Sequence, residues 1–311
     1  MALPLQADGG GDASALGVGS IPGAGNALVA GLPTATRRGR RGLPWFSGGA
    51  LVVFVLTGLI GPFVSPYGQQ EINLADSLKP PIGWGGSFSH PLGTDDLGRD
   101  ILARLVFGSR VAMLVSLAVV LIAGVIGLSV ALLAGYRGGR IDSVLMRTTD
   151  AALAFPVLLF AIVWVGVFGA STRNVVIILG LAFWPSYARV LRAEVLRVKT
   201  MDFVTMARTM GAGGRWVVWR HVLPNIMPTL LVLVTLQLGL AIVAEGALSF
   251  LGLGVPAPAA SWGGMLADGR KHLSDGWWMA IMPGLSLSVT VLATNLFGDW
   301  LRVNNDPTTK R

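Results

Sequence analysis

Ionisable side chains are scarce in this 311-residue chain, so each can be asked what chemistry it could do. Three are histidines, His90, His221 and His272, and no cysteine accompanies them. A metal site would need the three to converge. The apolar runs between them instead put them on both sides of any membrane the chain crosses. Two carboxylate pairs, Asp95 with Asp96 and Asp299 with Asp306, have the composition of an acid–base couple, yet helix capping and interface roles explain them more economically. Residues 264–271, GMLADGRK, come near a phosphate-binding loop. That pattern needs lysine directly after the second glycine and then Ser or Thr, and here Arg270 follows Gly269. There is no GxSxG or HExxH arrangement. The reading is of a non-catalytic chain with no metal, no cofactor and no ATP site of its own. One carboxylate remains. Glu245 interrupts the apolar run AIVAEGALSF. A carboxylate at membrane depth is expensive and normally faces a bundle interior or a watery cavity. It either lines a path near the outer side or makes a structural hydrogen bond across a subunit interface.

The other candidate is an island, Asp202 to Asn225, DFVTMARTMGAGGRWVVWRHVLPN, lying between two uncharged apolar runs. Thr200 or Asp202 can cap a helix starting near Phe203, with Met206, Ala207 and Met210 as its apolar stripe and Arg208 beside them. Gly211 is placed to end that helix in the left-handed region. Ala212, Gly213 and Gly214 follow. Arg215, Trp216, Val217, Trp219, His221, Val222 and Leu223 then form a second amphipathic turn, with a stop at Pro224. A helix resting on a membrane surface would use the same Trp and Arg residues. It would not call for helix, glycine break, helix and HVLPN in succession.

The elements that must hold these residues are membrane spans. The composition is 53% hydrophobic and 13% charged, with mean hydropathy +0.66, whereas soluble domains are nearer a quarter charged. Runs centred on Leu43–Val64, Val111–Gly135, Ala151–Ala170, Val175–Ala188, Ile226–Ala244 and Trp278–Gly298 give an all-α protein of about six spans. The fourth run is short at its inner end, where Arg189 and Arg192 can snorkel. With the N-terminus inside, only Lys79, Arg99, Arg104, Arg110, Arg173, Arg270 and Lys271 of the 24 basic residues fall outside. That asymmetry follows the positive-inside rule and places both termini in the cytoplasm. The net charge of +8 is accounted for by topology and anionic lipid, with no nucleic-acid module.

Four regions follow: a disordered cytoplasmic tail at 1–42, the first span and outer segment at 43–104, a transmembrane domain at 105–302 containing the 202–225 island, and a cytoplasmic tail at 303–311. The N-terminal tail has two acids and no base through residue 36, unlike a cleavable signal, and RRGRR at 37–41 reads as an inner anchor. In the first outer segment, Thr94 or Asp95 can cap a long helix that starts along the outer interface and then enters the membrane. Pro156 and Pro185 sit inside spans. Trp262, Trp277 and Trp278 suit an interfacial belt.

Several motifs occur in order: HPLGTDDLGRDILARLVFGSR at 90–110, AGYRGG at 134–139, WPSYARVLRAEVL at 184–196, HVLPN at 221–225, EGALSFLGLG at 245–254, SWGGMLADGR at 261–270 and GDWLR at 298–302. With them the chain resembles the C-type permease subunit of dipeptide/oligopeptide/nickel ABC importers over roughly residues 45–307, and residues 202–225 resemble that family's "EAA" coupling loop. Met206 stands where the family usually has the first of two alanines. The resemblance implies an ABC type I importer permease fold in a bacterial inner membrane. It implies Asp202, Phe203, Ala207, Arg208, Gly211, Ala212, Arg215, His221, Leu223 and Pro224 as ATPase-coupling residues. The implied partners are a homologous second permease, cytoplasmic ATPase subunits that hold ATP and Mg2+, an extracytoplasmic peptide-binding protein and membrane lipid. Rival readings keep the architecture but carry nickel, glutathione or another small solute, or dispense with the ATPase as a secondary transporter or channel.

Overall fold

The computed structural model describes residues 45–305, so the whole tail assigned to 1–42, with its RRGRR cluster, and residues 306–311 of the tail assigned to 303–311, with Asp306, lie outside the described residues. Among the described residues the chain is helical, without strands and with one isolated bridge between Thr94 and Asp100. The helices are α1 (Trp45–Val64), α2 (Ile101–Arg137), α3 (Gly139–Ala154), α4 (Val157–Phe168), α5 (Thr172–Lys199) and α6 (Asp202–Thr209). Next, α7 (Gly214–Val217) passes through a π turn (Val218–Val222) into α8 (Leu223–Phe250). The set closes with α9 (Trp262–Gly269) and α10 (Trp278–Asn305). Five described helical stretches are long and apolar enough to span a membrane, and α3 with α4 makes a sixth that is bent by 83°.

That bend corrects the expected run at Ala151–Ala170. Pro156 supplies no amide hydrogen and drives the residue before it out of the helical region. Phe155 is accordingly extended, at φ −86° and ψ 122°. Pro185, by contrast, stays inside α5. The short fourth run belongs to a helix of 28 residues, about 42 Å long. Arg189 and Arg192 pair with Asp150 and Asp142 rather than reaching freely for headgroups.

The cap of α2 is Asp100, whose Oδ1 accepts the Ala103 amide at 2.7 Å, and neither Thr94 nor Asp95 caps it. The helix is unbroken for 37 residues, about 56 Å, and its last turns, Leu128, Leu132 and Tyr136, reach the island. It ends at Gly138, φ +71°.

Close packing of α2 on α5 depends on small residues, as expected where lipid gives helices no hydrophobic reason to associate. A Cβ at Gly127 would lie 2.4 Å from the Tyr187 side chain, and one at Gly180 would lie 2.8 Å from Ile122. The same device joins α8 to α10, where Gly239 faces Asn295 and Gly298 faces Thr235.

At the end far from the island, residues 65–100 and 251–277 fold over the bundle. Trp262 and Trp278 are core residues there, correcting the interfacial-belt expectation for both. The Trp262 indole donates to the Leu105 carbonyl at 3.0 Å, and that of Trp278 to the Thr94 carbonyl at 2.9 Å. Each indole finds its acceptor on the backbone of the outer segment or α2, which is why burial of the polar tip is tolerated.

Candidate functional site

The island closes on itself through a glycine turn. Asp202 is the first helical residue of α6, while Met201 holds the cap position without a side-chain bond, so neither Thr200 nor Asp202 caps it. Gly211 adopts φ +87°, the left-handed geometry its type suggested. Its amide donates to the Arg208 carbonyl at 2.9 Å, and the Ala212 amide returns to Ala207 at 3.0 Å. These bonds satisfy carbonyls that the end of α6 would leave open.

Val204, Val217, Val222 and Ile226 are buried against Val195 and Val198 of α5 and Leu128 and Leu132 of α2. Ala207, Ala212 and Leu223 pack on the same cluster. The island is therefore seated on two spans by its apolar side. Its outward side carries Met206 (64% exposed), Met210 (86%), Trp216 (53%) and Trp219 (66%). Of the expected stripe, Ala207 turns inward and the two methionines turn outward. Phe203 and Trp216 flank the His221 ring, with centroids 5.8 and 5.0 Å away. Arg215, Trp216, Trp219 and Arg220 line an open cavity of about 450 Å³.

Pro224 is exposed but ends nothing, contrary to the expected stop. The chain runs helically from Gly214 to Phe250. Where proline removes an amide donor, the π turn intervenes, and the Leu223 amide bonds to the Val218 carbonyl five residues back. The wider turn carries the helix past a residue that would otherwise break it.

Tyr136 was not singled out from sequence. It sits at the end of α2 with the Arg208 guanidinium 4.8 Å and the Lys199 ammonium 5.7 Å from its ring centroid. Lys199 also donates to the Tyr136 carbonyl at 2.6 Å, completing the end of α2. Gly214 is tight against the same ring. The two cations over its ring come from α5 and from α6, so AGYRGG by itself carried no signal for the contact.

Glu245 does not join the island. It lies 22 residues beyond Leu223 along α8, about 33 Å. Only 1% exposed, its Oε1 accepts the Ser249 hydroxyl at 2.7 Å, and Ser249 in turn accepts the Val255 amide at 3.1 Å. The carboxylate thus ties the end of α8 to the loop that follows.

The far end holds a second polar group that sequence reading missed. His90 is buried with Nδ1 3.0 Å from Asp100 and Nε2 3.4 Å from Asp76. A bond from Lys79 holds the Asp76 carboxyl below its usual range, and His90 adds to this against the opposing effect of desolvation. Asp95 accepts from Arg99 at 2.6 Å and from Arg104, which also approaches Asp268. His90, His221 and His272 have separate neighbours.

A family model described as "Binding-protein-dependent transport system inner membrane component" matches residues 123–311. The chain belongs to this family of membrane transport components. It is 41% identical over 262 residues to the di/tripeptide transport system permease protein DppC of Pseudomonas aeruginosa (strain UCBPP-PA14), covering 84% of this chain and 86% of that one. It is 37% identical to the dipeptide transport system permease protein DppC of Bacillus subtilis (strain 168), covering 84% and 80%. A chain of the MetNI methionine ABC transporter, solved in inward-facing conformations, aligns with TM-score 0.55 at 18% identity. That alignment covers 65% of this chain and 96% of the other, and gives the fold as the expected ABC importer permease.

Proposed function

We propose that this chain is the permease subunit of an ATP-driven importer of di- and oligopeptides, forming half of the translocation path in a bacterial inner membrane. The observation that carries this reading is the island. Its apolar side is fixed to α2 and α5, its second half is continuous with α8, and its outward side presents Met206, Met210, Trp216 and Trp219. Such a surface suits the groove of a cytoplasmic ATPase. Methionine adapts to an irregular partner and tryptophan supplies large anchors.

ATP and Mg2+ belong to that partner. Closure of the ATPases pushes Asp202, Phe203, Arg208 and Arg215, and the push passes through Ala207, Ala212 and Leu223 into the bundle. Gly211 sets the angle of the turn, and His221 and Pro224 shape its return into α8. Both termini lie in the cytoplasm. A homologous second permease completes the path, and an extracytoplasmic peptide-binding protein delivers cargo to the far end. There Glu245, through Ser249, holds the 251–255 turn at the edge of the path. Peptide cargo is taken from the names of the relatives.

The test is purification of the tagged chain with its membrane partners, followed by ATP hydrolysis and peptide uptake in vesicles. The expected result is ATP-dependent uptake by the complex and neither ATP binding nor hydrolysis by the chain alone. Solute flow through the purified chain alone at the rate of the complex would overturn it.

A further inference from the structure

Residues 80–89 of the far-end segment, PPIGWGGSFS, carry no charged side chain, although Lys79 and His90 flank them. Both ends of this stretch are held. Pro81 and His90 are buried, and the Ile82 amide donates to the Pro91 carbonyl at 3.1 Å, closing the neck of a loop. Beyond the neck Ile82, Trp84 and Phe88 are exposed, Trp84 at 65% and Phe88 at 89%. The loop is stiff as well. The Trp84 and Gly86 amides both donate to the Pro81 carbonyl, at 3.1 and 3.3 Å, and Gly83 and Gly85 take φ of +94° and +97°. Backbone geometry therefore presents the two aromatic rings outward, with little chain freedom left to lose on contact.

What the rings meet follows from their height. From Trp278 to Gly298, α10 has no charged side chain. Those 21 positions, 278 to 298, measure about 32 Å and match about 30 Å of hydrocarbon. Trp277 comes just before that stretch, at its boundary with the headgroups. Its ring lies 5.2 Å from that of Trp84, edge to face. Along α10, Ile281, Leu285, Val289 and Leu292 continue from Trp277 at helical spacing, and all four are exposed. Trp84 thus stands at the end of an apolar stripe on a span, at the level where membranes enrich tryptophan.

A protein partner is met by an apolar centre within a polar rim. Here Ser87 and Ser89 are the only polar side chains of the loop, a composition that suits headgroups and acyl chains. We infer that residues 82–88 are a preformed finger that inserts Trp84 and Phe88 into the headgroup–acyl boundary of phospholipid beside α10. The finger tethers the 65–100 segment to the bilayer at the end of the bundle far from the island. This inference rests on the height of α10 and on neither cargo nor orientation.

The experiment uses the full chain in nanodiscs of mixed phosphatidylcholine and phosphatidylglycerol, both faces of which are open to solutes. A nitroxide on Ser87→Cys, beside the intact rings, is compared with one on Ile281→Cys in the span and one on Lys271→Cys in the 251–277 segment. Collisions with dissolved oxygen should exceed those with a water-soluble nickel chelate at positions 87 and 281, and the order should reverse at 271. Adding Trp84→Ser and Phe88→Ser should raise chelate collisions at 87 about tenfold, while an unchanged signal at 281 shows the chain still folded. Dominant chelate collisions at 87 with both rings intact would place the finger in water. Shielding from both probes would mean that protein covers it. Either result overturns the inference, as does a folded double-serine variant that leaves position 87 unchanged. The measurement at 87 with both rings present decides alone if that variant does not fold.

Discussion

Around Gly211 there is open space, so a side chain there would meet no neighbour; its φ of +87° is what excludes one. Gly211→Val therefore tests backbone geometry alone, at a cost of about 1–2 kcal/mol. The variant should insert and keep its permease partner but lose ATPase attachment or stimulation, measured by co-purification and ATP turnover. Unchanged coupling would remove the island from its proposed role. Tyr136 tests the seating instead. Tyr136→Ala deletes the ring beneath Arg208 and Lys199 and should cost about 2 kcal/mol, seen as faster proteolysis within 202–214. Sequence reading reached Gly211 because a left-handed turn leaves a local residue signature. It missed Tyr136 because that contact joins positions more than 60 residues apart. The His90 contacts eluded it although Asp76 and Asp100 lie close in sequence, because an irregular loop without periodicity brings the three together. The Asp76 carboxyl is depressed by Lys79 and His90. Its contribution is present above the ordinary aspartate pKa and is lost as pH falls through the lower folded value. Acid loosening of the 65–100 segment, followed by hydrogen exchange, should be reduced in Asp76→Asn.

At the scale of elements, the α2–α5 contact makes opposite predictions for two glycines one turn apart. A Cβ at Gly124 meets Tyr187 at an ordinary 3.9 Å, whereas one at Gly127 would meet it at 2.4 Å. Gly124→Ala should be nearly neutral and Gly127→Ala should cost about 1–3 kcal/mol, read as lower thermal stability in detergent. Equal stability of the two would mean that α2 and α5 are not packed this way. Hydropathy marked most of the spans because an 18-residue apolar window needs no knowledge of neighbours. It misjudged proline in both directions. Pro156 breaks a span because Phe155 turns extended, while Pro224 breaks nothing because the π turn absorbs it. Which outcome proline has depends on whether the preceding turn can widen, and composition does not carry that. The tryptophans at 262 and 278 were misread likewise, since their acceptors, the carbonyls of Leu105 and Thr94, lie more than 150 residues away.

For the whole molecule, the proposed orientation, with both termini in the cytoplasm, has the island inside and Asp268 outside. The natural absence of cysteine makes Asp268→Cys a clean probe. Impermeant reagent added to intact cells should modify it, and modification only by permeant reagent would reverse the assigned orientation. The unbroken helix from Gly214 to Phe250 has a mechanical consequence as well. Gly239, in tight contact with Asn295, divides it into arms of 25 and 11 residues, about 38 and 17 Å. A rod pivoting at that crossing is an unequal lever. A stroke of about 5 Å at the island arrives at Phe250 as about 2 Å in the opposite direction, so force is gained where travel is lost.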